Sequence, residues 1–212
     1  ADGTRIVISG SAAPLRDDDN RIEGLLATCM DVTESRRTEA AFNEQLHFTR
    51  ALIDAIPNPV YFKDLEGRYR VYNRAWQDLW PRLGLEPAGS MLDLDTVFGR
   101  RARRTVEIGF GNGESLVALA SSHAERNYLG LEVHPPGVGH LLLCCEAGQL
   151  RNVRVICDDA VQVLQRRVPD ASPAEVLLYF PDPWPKKRHH KRRIVQPSFV
   201  ELVNRKLKPG GV

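Results

Sequence analysis

The second part of the chain alternates short apolar runs with segments of helical character, and this pattern constrains the fold more than any other feature. The apolar runs lie at residues 105–108, 128–133, 153–157 and 175–180. Buried strands that alternate with helices in this way are typical of a parallel sheet with right-handed crossover connections. From about residue 78 onward, the sequence therefore predicts an α/β domain.

Composition limits the classes of protein that fit this prediction. The 212 residues are 42% apolar and 26% charged, which suits a folded chain with one ordinary domain and part of a second. No apolar run has the roughly 18 residues that a membrane span needs. The first residues also lack the charged leader and apolar stretch of a signal peptide. We expect a soluble, cytoplasmic protein without a membrane partner.

The pattern of cysteines and histidines predicts neither disulfides nor a metal site. The 4 cysteines include no CxxC pair, and the adjacent Cys144 and Cys145 cannot close a relaxed disulfide. His189 and His190 lack a partner one helical turn away, and they lack the acidic ligand that a zinc site would show. We expect reduced thiols and no bound metal.

The strongest local signal of a ligand site is the segment between the first apolar strand and the next helix. It reads Gly-x-Gly-x-Gly, with Gly109, Gly111 and Gly113. Glycines there let the backbone approach a ligand closely, and the start of the following helix offers unpaired N–H groups. A tight turn without a ligand is the alternative, and the spacing differs from the Gly-x-Gly-x-x-Gly of dinucleotide enzymes.

Acidic side chains follow the next two strands, at the edge where open α/β sheets bind ligands. Glu132 ends the second strand, and Asp158 and Asp159 end the third. An acid at the place of Glu132 can bind both hydroxyls of a ribose, which favours an adenosine-containing ligand without a 2′-phosphate. A single strand-end carboxylate more often caps the following helix, but three of them in successive strands favour a ligand site.

A basic stretch follows the fourth strand. Residues 180–193 contain six Lys or Arg and one Asp, although the whole chain has a net charge of only +2. A local concentration of positive charge is expected of a surface that contacts a phosphate backbone, whereas the alternative is a solvated charged face. Three prolines make this a rigid loop around Asp182 and Trp184. Trp184 suits a core position or base stacking equally.

Residues from about 78 to the end resemble the bacterial tRNA (guanine-N7)-methyltransferase family. The matching stretches are residues 98–100, 107–114, 130–139 and 180–193, and the PDPWPKKRH string at residues 181–189 is the most specific of them. The resemblance implies a Rossmann-like fold, S-adenosylmethionine as cofactor and tRNA as partner. It also implies the activity, which is transfer of a methyl group to N7 of a guanine in tRNA.

The resemblance extends to single residues. The expected cofactor contacts are Glu107, Gly109, Gly111, Gly113, Glu132, Asp159 and Asp182. Asp182 is also the expected catalytic residue, since a carboxylate held there can stabilise the positive charge that guanine acquires as the methyl group arrives. The expected tRNA contacts are Lys186 and its neighbours Trp184, Lys187 and Arg188.

The first part of the chain resembles the PAS sensor family, in two pieces. Residues 31–34 and the strands before them look like the end of one PAS domain that passes into a signalling helix. Residues 56–64, together with Gly67 and residues 73–76, look like the start of the next. Neither copy is whole, so no PAS ligand is carried over from the family.

Together the two resemblances predict an α/β fold class, with a truncated Rossmann-like class I methyltransferase sheet preceded by an α+β PAS-like segment. The predicted segments are PAS-like strands at 1–33, a linking helix at 34–56, the start of a second PAS-like domain at 57–77, and an incomplete methyltransferase domain at 78–212. Thr33 is the predicted N-cap of the linking helix. Residues 1–33 and 60–73 are expected to pair in one sheet.

The resemblance to methyltransferases stops at Val212, where the fifth strand of the family begins. A parallel sheet of four strands exposes backbone groups at its edge. We therefore expect marginal stability, or self-association through this edge and the PAS-like segment. Two other functions stay open: a PAS-type signalling or dimerisation module with an inactive methyltransferase remnant, and RNA binding through residues 186–193 without catalysis.

Overall fold

The computed structural model describes residues 5–66 and 68–212. Gly67, which forms part of the PAS resemblance, lies outside the described residues. The chain divides into two compact units, of which the first ends at Ala55 and the second comprises Ile56–Val212. Within the described ranges, no helix combines the length and the apolar character that crossing a bilayer requires.

The first unit consists of a hairpin and a long helix. Strands β1 (Ile8–Arg16) and β2 (Ile22–Asp31) pair antiparallel around a polar turn. Helix α1 (Thr33–Asp54) follows, and none of its residues is buried. The predicted strands and helix are therefore confirmed as local elements, whereas their PAS-like origin remains a prediction.

The start of α1 corrects the predicted N-cap. Val32 occupies the N-cap position, and Thr33 is the first helical residue. The Thr33 hydroxyl accepts a hydrogen bond from the backbone N–H of Val7 at 2.7 Å and donates one to Asp31 Oδ1 at 2.6 Å. Because its hydroxyl is engaged by Val7, just before β1, and by Asp31 at the end of β2, Thr33 ties the helix to the hairpin instead of capping it.

The second unit begins with another hairpin and a helix. Strands β3 (Tyr61–Lys63) and β4 (Tyr69–Tyr72) pair antiparallel. Helix α2 (Arg74–Leu83) follows, and the Asn73 side chain caps it by accepting a hydrogen bond from the Trp76 N–H at 3.0 Å. The predicted hairpin and helix are confirmed here.

The two hairpins form separate two-stranded sheets. The prediction that residues 1–33 and 60–73 pair in one sheet is therefore wrong. Each strand pairs with its neighbour in sequence, because antiparallel strands need only a short turn between them.

A four-stranded parallel sheet forms the centre of the second unit. Helix α3 (Leu94–Phe98) precedes it. The strands are β5 (Arg104–Ile108), β6 (Asn127–Glu132), β7 (Val153–Cys157) and β8 (Glu175–Leu178), in the spatial order β7-β6-β5-β8. All pairs are parallel, as the alternation of strands and helices predicts. From β5 the chain adds β6 and β7 on one side, and it then adds β8 on the other side of β5. The carboxyl ends of β5 and β8 are therefore the topological switch point of the sheet.

Helices cover both faces of this sheet. On one face, α2 packs with α4 (Glu114–Ser122) and α5 (Pro135–Ala147) over one core cluster. On the other face, α3 packs with α6 (Ala160–Arg166) and α7 (Pro197–Lys206) over a second cluster. The sheet is therefore the middle of three layers, as in other parallel sheets whose crossovers contain helices.

The segment at residues 57–77 packs as part of the second unit. The rings of Trp76 and Trp80 stack with centroids 4.2 Å apart, and the ring of Tyr61 also lies 4.2 Å from that of Trp76. The Tyr61 hydroxyl lies 3.4 Å from Cys157 Sγ, at the end of β7. The aromatic side chains of this segment thus extend the core beneath the sheet.

Both edges of the sheet have further backbone partners. At β7, the Leu85 N–H donates to the carbonyl of Val155 at 2.8 Å. At β8, the Val212 N–H donates to the carbonyl of Ala174 at 3.0 Å, and the Val212 carbonyl accepts from the Val176 N–H at 2.8 Å. Val212 therefore lies beside the start of β8 as the next strand of a parallel sheet would.

Candidate functional site

The carboxyl ends of the parallel strands open into a cavity of about 310 Å³. Its lining includes Gly109 after β5, Glu132 at the end of β6, Asp158 and Asp159 after β7, and Asp182 after β8. This is the switch-point edge of the sheet, where open α/β proteins bind ligands. The structure thus brings together predicted site residues from all four strands.

The glycine loop after β5 borders this cavity. Gly109 and Gly111 have φ angles of +69° and +60°, in the region that only glycine adopts readily. A Cβ atom added at either residue would meet no atom within 4 Å. Open space therefore lies beside both glycines. Gly113 differs, since a Cβ there would come within 2.7 Å of the Leu141 side chain, so packing against α5 requires its glycine.

Glu132 holds the glycine loop in place. Its Oε2 accepts a hydrogen bond from the Gly111 N–H at 2.8 Å, and its Oε1 accepts from the Val133 and His134 N–H groups at 2.7 and 2.8 Å. A carboxylate has about four acceptor positions, so these three bonds leave capacity for one from a ligand hydroxyl. The side chain is 8% exposed and lines the cavity.

Glu107, one of the predicted cofactor contacts, is buried, with 1% of its surface exposed. Its Oε1 accepts a hydrogen bond from the Ser115 hydroxyl, whereas its Oε2 has no partner within the described residues. Burial raises the pKa of this carboxyl, and the Ser115 hydrogen bond partly opposes that rise. Glu107 does not line the cavity. Buried polar atoms are usually hydrogen-bonded, so its unpartnered Oε2 indicates that a polar group of a ligand binds there.

The two aspartates after β7 are partly engaged by the backbone. Asp159 caps α6, since its Oδ1 accepts a hydrogen bond from the Gln162 N–H at 2.9 Å. Asp158 Oδ1 accepts one from the Asp159 N–H at 2.7 Å. The helix-capping alternative is therefore observed for Asp159. The cap engages one of its two carboxylate oxygens, and both aspartates line the cavity.

Arg193 holds the loop that carries Asp182. Its Nε donates to the Pro183 carbonyl at 2.9 Å, and a terminal nitrogen donates to the Trp184 carbonyl at 3.3 Å. These bonds connect the proline-rich segment to the far side of the basic stretch. Asp182 itself is exposed and lines the cavity, so its carboxylate is accessible to a substrate.

Trp184 is engaged by two side chains of the basic stretch. The Arg192 guanidinium carbon lies 5.1 Å from the centroid of the indole. The His189 ring meets it edge-on, with centroids 5.5 Å apart and an interplanar angle of 88°. Trp184 is half-buried and lines the cavity. Trp184 is thus not a core residue, and its ring already has contacts with two side chains.

The basic stretch forms a short 3-10 helix at Lys187–Arg192. Lys186 and Arg188 are exposed, and the side chain of Lys187 lies outside the described residues. Arg192 lines the cavity, whereas Lys186 and Arg188 do not. Sequence reasoning missed Arg192 as a site residue, since nothing in a run of basic residues distinguishes the one that turns toward the site.

All four cysteines are free thiols. In residues 5–66 and 68–212, no three or more His, Cys, Asp or Glu side chains are grouped so that they could hold a metal ion.

The parallel sheet, the glycine loop after its first strand and the acid at the end of the next strand define a Rossmann-like fold of the class I methyltransferase type. A family profile described as "Putative methyltransferase" matches residues 101–212, which is more than half of the chain. The chain belongs to this family, and the predicted methyltransferase family and Rossmann-like fold are confirmed, whereas the PAS-like segment stays a prediction.

Curated relatives and a solved structure are also similar to this chain. A tRNA (guanine-N(7)-)-methyltransferase of Alkalilimnicola ehrlichii is 60% identical over 149 residues, which cover 69% of this chain and 63% of the relative. One of Nitrosococcus oceani is 53% identical over 157 residues, covering 73% and 66%. The chain thus spans less than two thirds of the length of either relative. A solved S-adenosylmethionine-dependent methyltransferase from Geobacter sulfurreducens has a TM-score of 0.39 and 20% identity, covering 59% of this chain and 47% of that one.

Proposed function

We propose that the protein transfers a methyl group from S-adenosylmethionine to N7 of a guanine in tRNA. The observation that carries this proposal is the cavity that Gly109 of the glycine loop, Glu132 and Asp182 line together. One side of the cavity suits a nucleoside-containing methyl donor, and the other presents a carboxylate beside a basic surface. The similar curated proteins are named as tRNA (guanine-N(7)-)-methyltransferases, which supports the same reaction.

The residues present fit this cofactor. Gly109 and Gly111 leave open space beside the backbone, Glu132 has spare capacity to accept a bond from a ribose hydroxyl, and Glu107 has a buried oxygen without a partner. Asp159 lines the cavity, and the helix cap engages only one of its two carboxylate oxygens. When bound, S-adenosylmethionine supplies a methyl group on a sulfonium, which guanine N7 takes with its lone pair while the carbon–sulfur bond breaks and its electrons stay on sulfur.

Asp182 stabilises the guanine that accepts the methyl group. Guanine N7 has a lone pair and no proton, so the protein needs no general base there. The purine becomes positively charged as its new bond forms, and a fixed carboxylate beside it lowers the energy of that charge. The Arg193 bonds that hold the Asp182 loop keep the carboxylate in place before the substrate arrives, and such positioning accounts for much of the rate.

The basic stretch binds the phosphate backbone of tRNA. Lys186 and Arg188 are exposed, and Arg192 lies at the cavity, so the charged surface extends from the site outward. Lys187 and Trp184 belong to the same proposed surface. Binding that depends on phosphate contacts weakens as salt concentration rises. A tRNA substrate also implies a cytoplasmic location.

We also propose that copies of the chain associate through the first unit, which corresponds to the predicted PAS-like strands and linking helix. Leu25, Met30 and Phe42 are 72%, 69% and 62% exposed. Large exposed apolar side chains on adjoining elements are typical of association surfaces.

The test is methyl transfer from isotopically labelled S-adenosylmethionine to unmodified bacterial tRNA, followed by nucleoside analysis. We expect 7-methylguanosine as the product and roughly a 100-fold lower turnover for Asp182→Asn, which keeps the size of the side chain and removes its charge. Calorimetric titration with S-adenosylmethionine separates binding from transfer, with Glu132→Ala as the variant that loses binding. Cofactor-independent tRNA binding without any transfer would contradict the proposal and favour RNA binding alone.

A further inference from the structure

One large apolar side chain at the cavity is left uncovered. Phe180 is 99% exposed, and its φ angle is +48°. Bulky residues rarely adopt this left-handed conformation, because their Cβ approaches the backbone. The fold therefore holds an aromatic ring in solvent with a strained backbone, and such strain concentrates at functional sites.

The position of Phe180 connects it to the acceptor side of the cavity. It follows β8 closely, lines the cavity and precedes Asp182 by two residues. The same cavity includes Glu132 on the proposed cofactor side. An aromatic ring and a carboxylate, two residues apart in the chain, thus line the same cavity.

Comparison with Trp184 shows which aromatic ring is available to a base. The guanidinium of Arg192 lies over the indole of Trp184, and the ring of His189 meets it edge-on. Within the part of the chain that the structure describes, no ring or cation contact involves Phe180. A base can therefore stack on Phe180 without displacing a side chain, whereas Trp184 would have to give up a contact.

We propose that Phe180 stacks on the acceptor guanine and holds it beside Asp182. This inference rests on the proposed function and adds a positioning residue for its substrate. An aromatic face binds any purine by stacking, and it attracts a purine more strongly as that purine becomes a cation. Phe180 and Asp182 therefore act on the same developing charge, one through the face of an aromatic ring and the other through a carboxylate.

The test compares Phe180→Leu with Phe180→Tyr. Leucine keeps an apolar side chain and the Cβ that strains the backbone but removes the aromatic face, and tyrosine keeps the face. We expect about a tenfold lower kcat/KM for tRNA with leucine and a value within about twofold of the original with tyrosine. Phe62→Leu is the matched control, because Phe62 is 60% exposed and does not line the cavity. Calorimetric affinity for S-adenosylmethionine stays unchanged in all three variants.

A binding measurement separates this inference from the proposed function. A tRNA with 2-aminopurine in place of the acceptor guanine loses fluorescence when the base stacks on an aromatic ring. We expect this quenching with the original protein and with Phe180→Tyr, and its loss with Phe180→Leu. If the original protein transfers no methyl group, the proposed function fails, and the quenching alone then decides the stacking. Equal kcat/KM and equal quenching with Phe180→Leu would overturn the inference.

Discussion

The two units of the chain use their apolar side chains in opposite ways. In the second unit, Leu116 and Leu141 are 0% exposed, between a parallel sheet and its covering helices. In the first unit, no described residue is buried, and Phe42 on α1 is 62% exposed. Both units contain regular elements with apolar residues on one side. Regular local structure therefore does not by itself produce a core, which needs a second layer to cover each apolar face.

This difference has a consequence for stability. A single hairpin is at best marginally stable in water, and a helix without packing partners gains little from its own hydrogen bonds. The second unit has the buried area that stabilises a domain. We therefore expect stability and chemistry to belong to the second unit, and association to belong to the first.

The largest expected effect concerns the core. Leu141→Ala removes a side chain that is 0% exposed, so we expect the free energy of unfolding of the second unit to fall by about 3 kcal/mol. Leu46→Ala on α1, where the side chain is 51% exposed, should change the free energy of unfolding by about 0.5 kcal/mol or less. Urea denaturation of both variants measures the two values. Equal losses would remove the contrast between the units.

The next effect concerns the site. We expect Asp182→Asn to lower turnover roughly 100-fold, because the neutral amide no longer stabilises the cationic purine. Phe42→Ala, in the first unit, should leave turnover per chain unchanged. Both are measured by methyl transfer to tRNA at saturating concentrations. A large loss of turnover in the Phe42 variant would show that the first unit takes part in the reaction.

A smaller effect concerns association. Phe42→Asp places a charge on the exposed apolar face of α1, so we expect about a tenfold weaker self-association, measured by sedimentation equilibrium over a range of protein concentrations. The matched change Phe62→Asp, on the hairpin of the second unit, should leave the association constant unchanged. The proposed role of the first unit is wrong if the chain is monomeric at all concentrations or if both variants associate equally.

The smallest expected effect is a pH dependence that differs in sign between the units. In the first unit, hydrogen bonds from Thr33 lower the pKa of Asp31 from 3.8, so its contribution to stability is present above that pH and lost as the pH falls through the lowered value. In the second unit, burial raises the pKa of Glu107 from 4.5. Stability linked to Glu107 is therefore present below pH 4.5 and is lost as the pH rises through the raised pKa.

Denaturation of the ligand-free protein between pH 4 and pH 7 tests the Glu107 part of this prediction. We expect Glu107→Gln to gain stability over the original protein as the pH rises, since the amide has no charge to desolvate. Glu201→Gln is a suitable control, because Glu201 on α7 is exposed. A difference between Glu107→Gln and the original protein that stays constant with pH would contradict the raised pKa.

Most of the fold was predictable because its signals are local. The apolar runs at 105–108 and 153–157 correspond closely to β5 and β7. The run at 175–180 is two residues longer than β8, which ends at Leu178, since Phe180 has a positive φ that cannot continue a strand. The prediction that residues 1–33 and 60–73 form one sheet was wrong for a different reason. The apolar pattern of a strand does not specify which distant strand it pairs with.

The candidate site was predictable where it follows from topology. Parallel strands end at one edge, so residues after successive strands, such as Gly109, Glu132 and Asp182, must come together there. The capping role of Asp159 was foreseen as an alternative, and only the structure shows the bond to Gln162. Phe180 and Arg192 were missed as site residues, since their importance depends on which side chains already have contacts.

The sequence by itself determined the α/β class, the strands and helices of the second unit, and the family, because periodicity and short motifs are properties of neighbouring residues. Tertiary structure alone decided which apolar faces are covered, and it placed Trp76 in the core of the second unit with Tyr61 and Tyr69 packed against it. It also left Phe180 uncovered while Trp184 is engaged by Arg192 and His189. Burial and exposure depend on residues that are distant in the chain, so no local pattern specifies them.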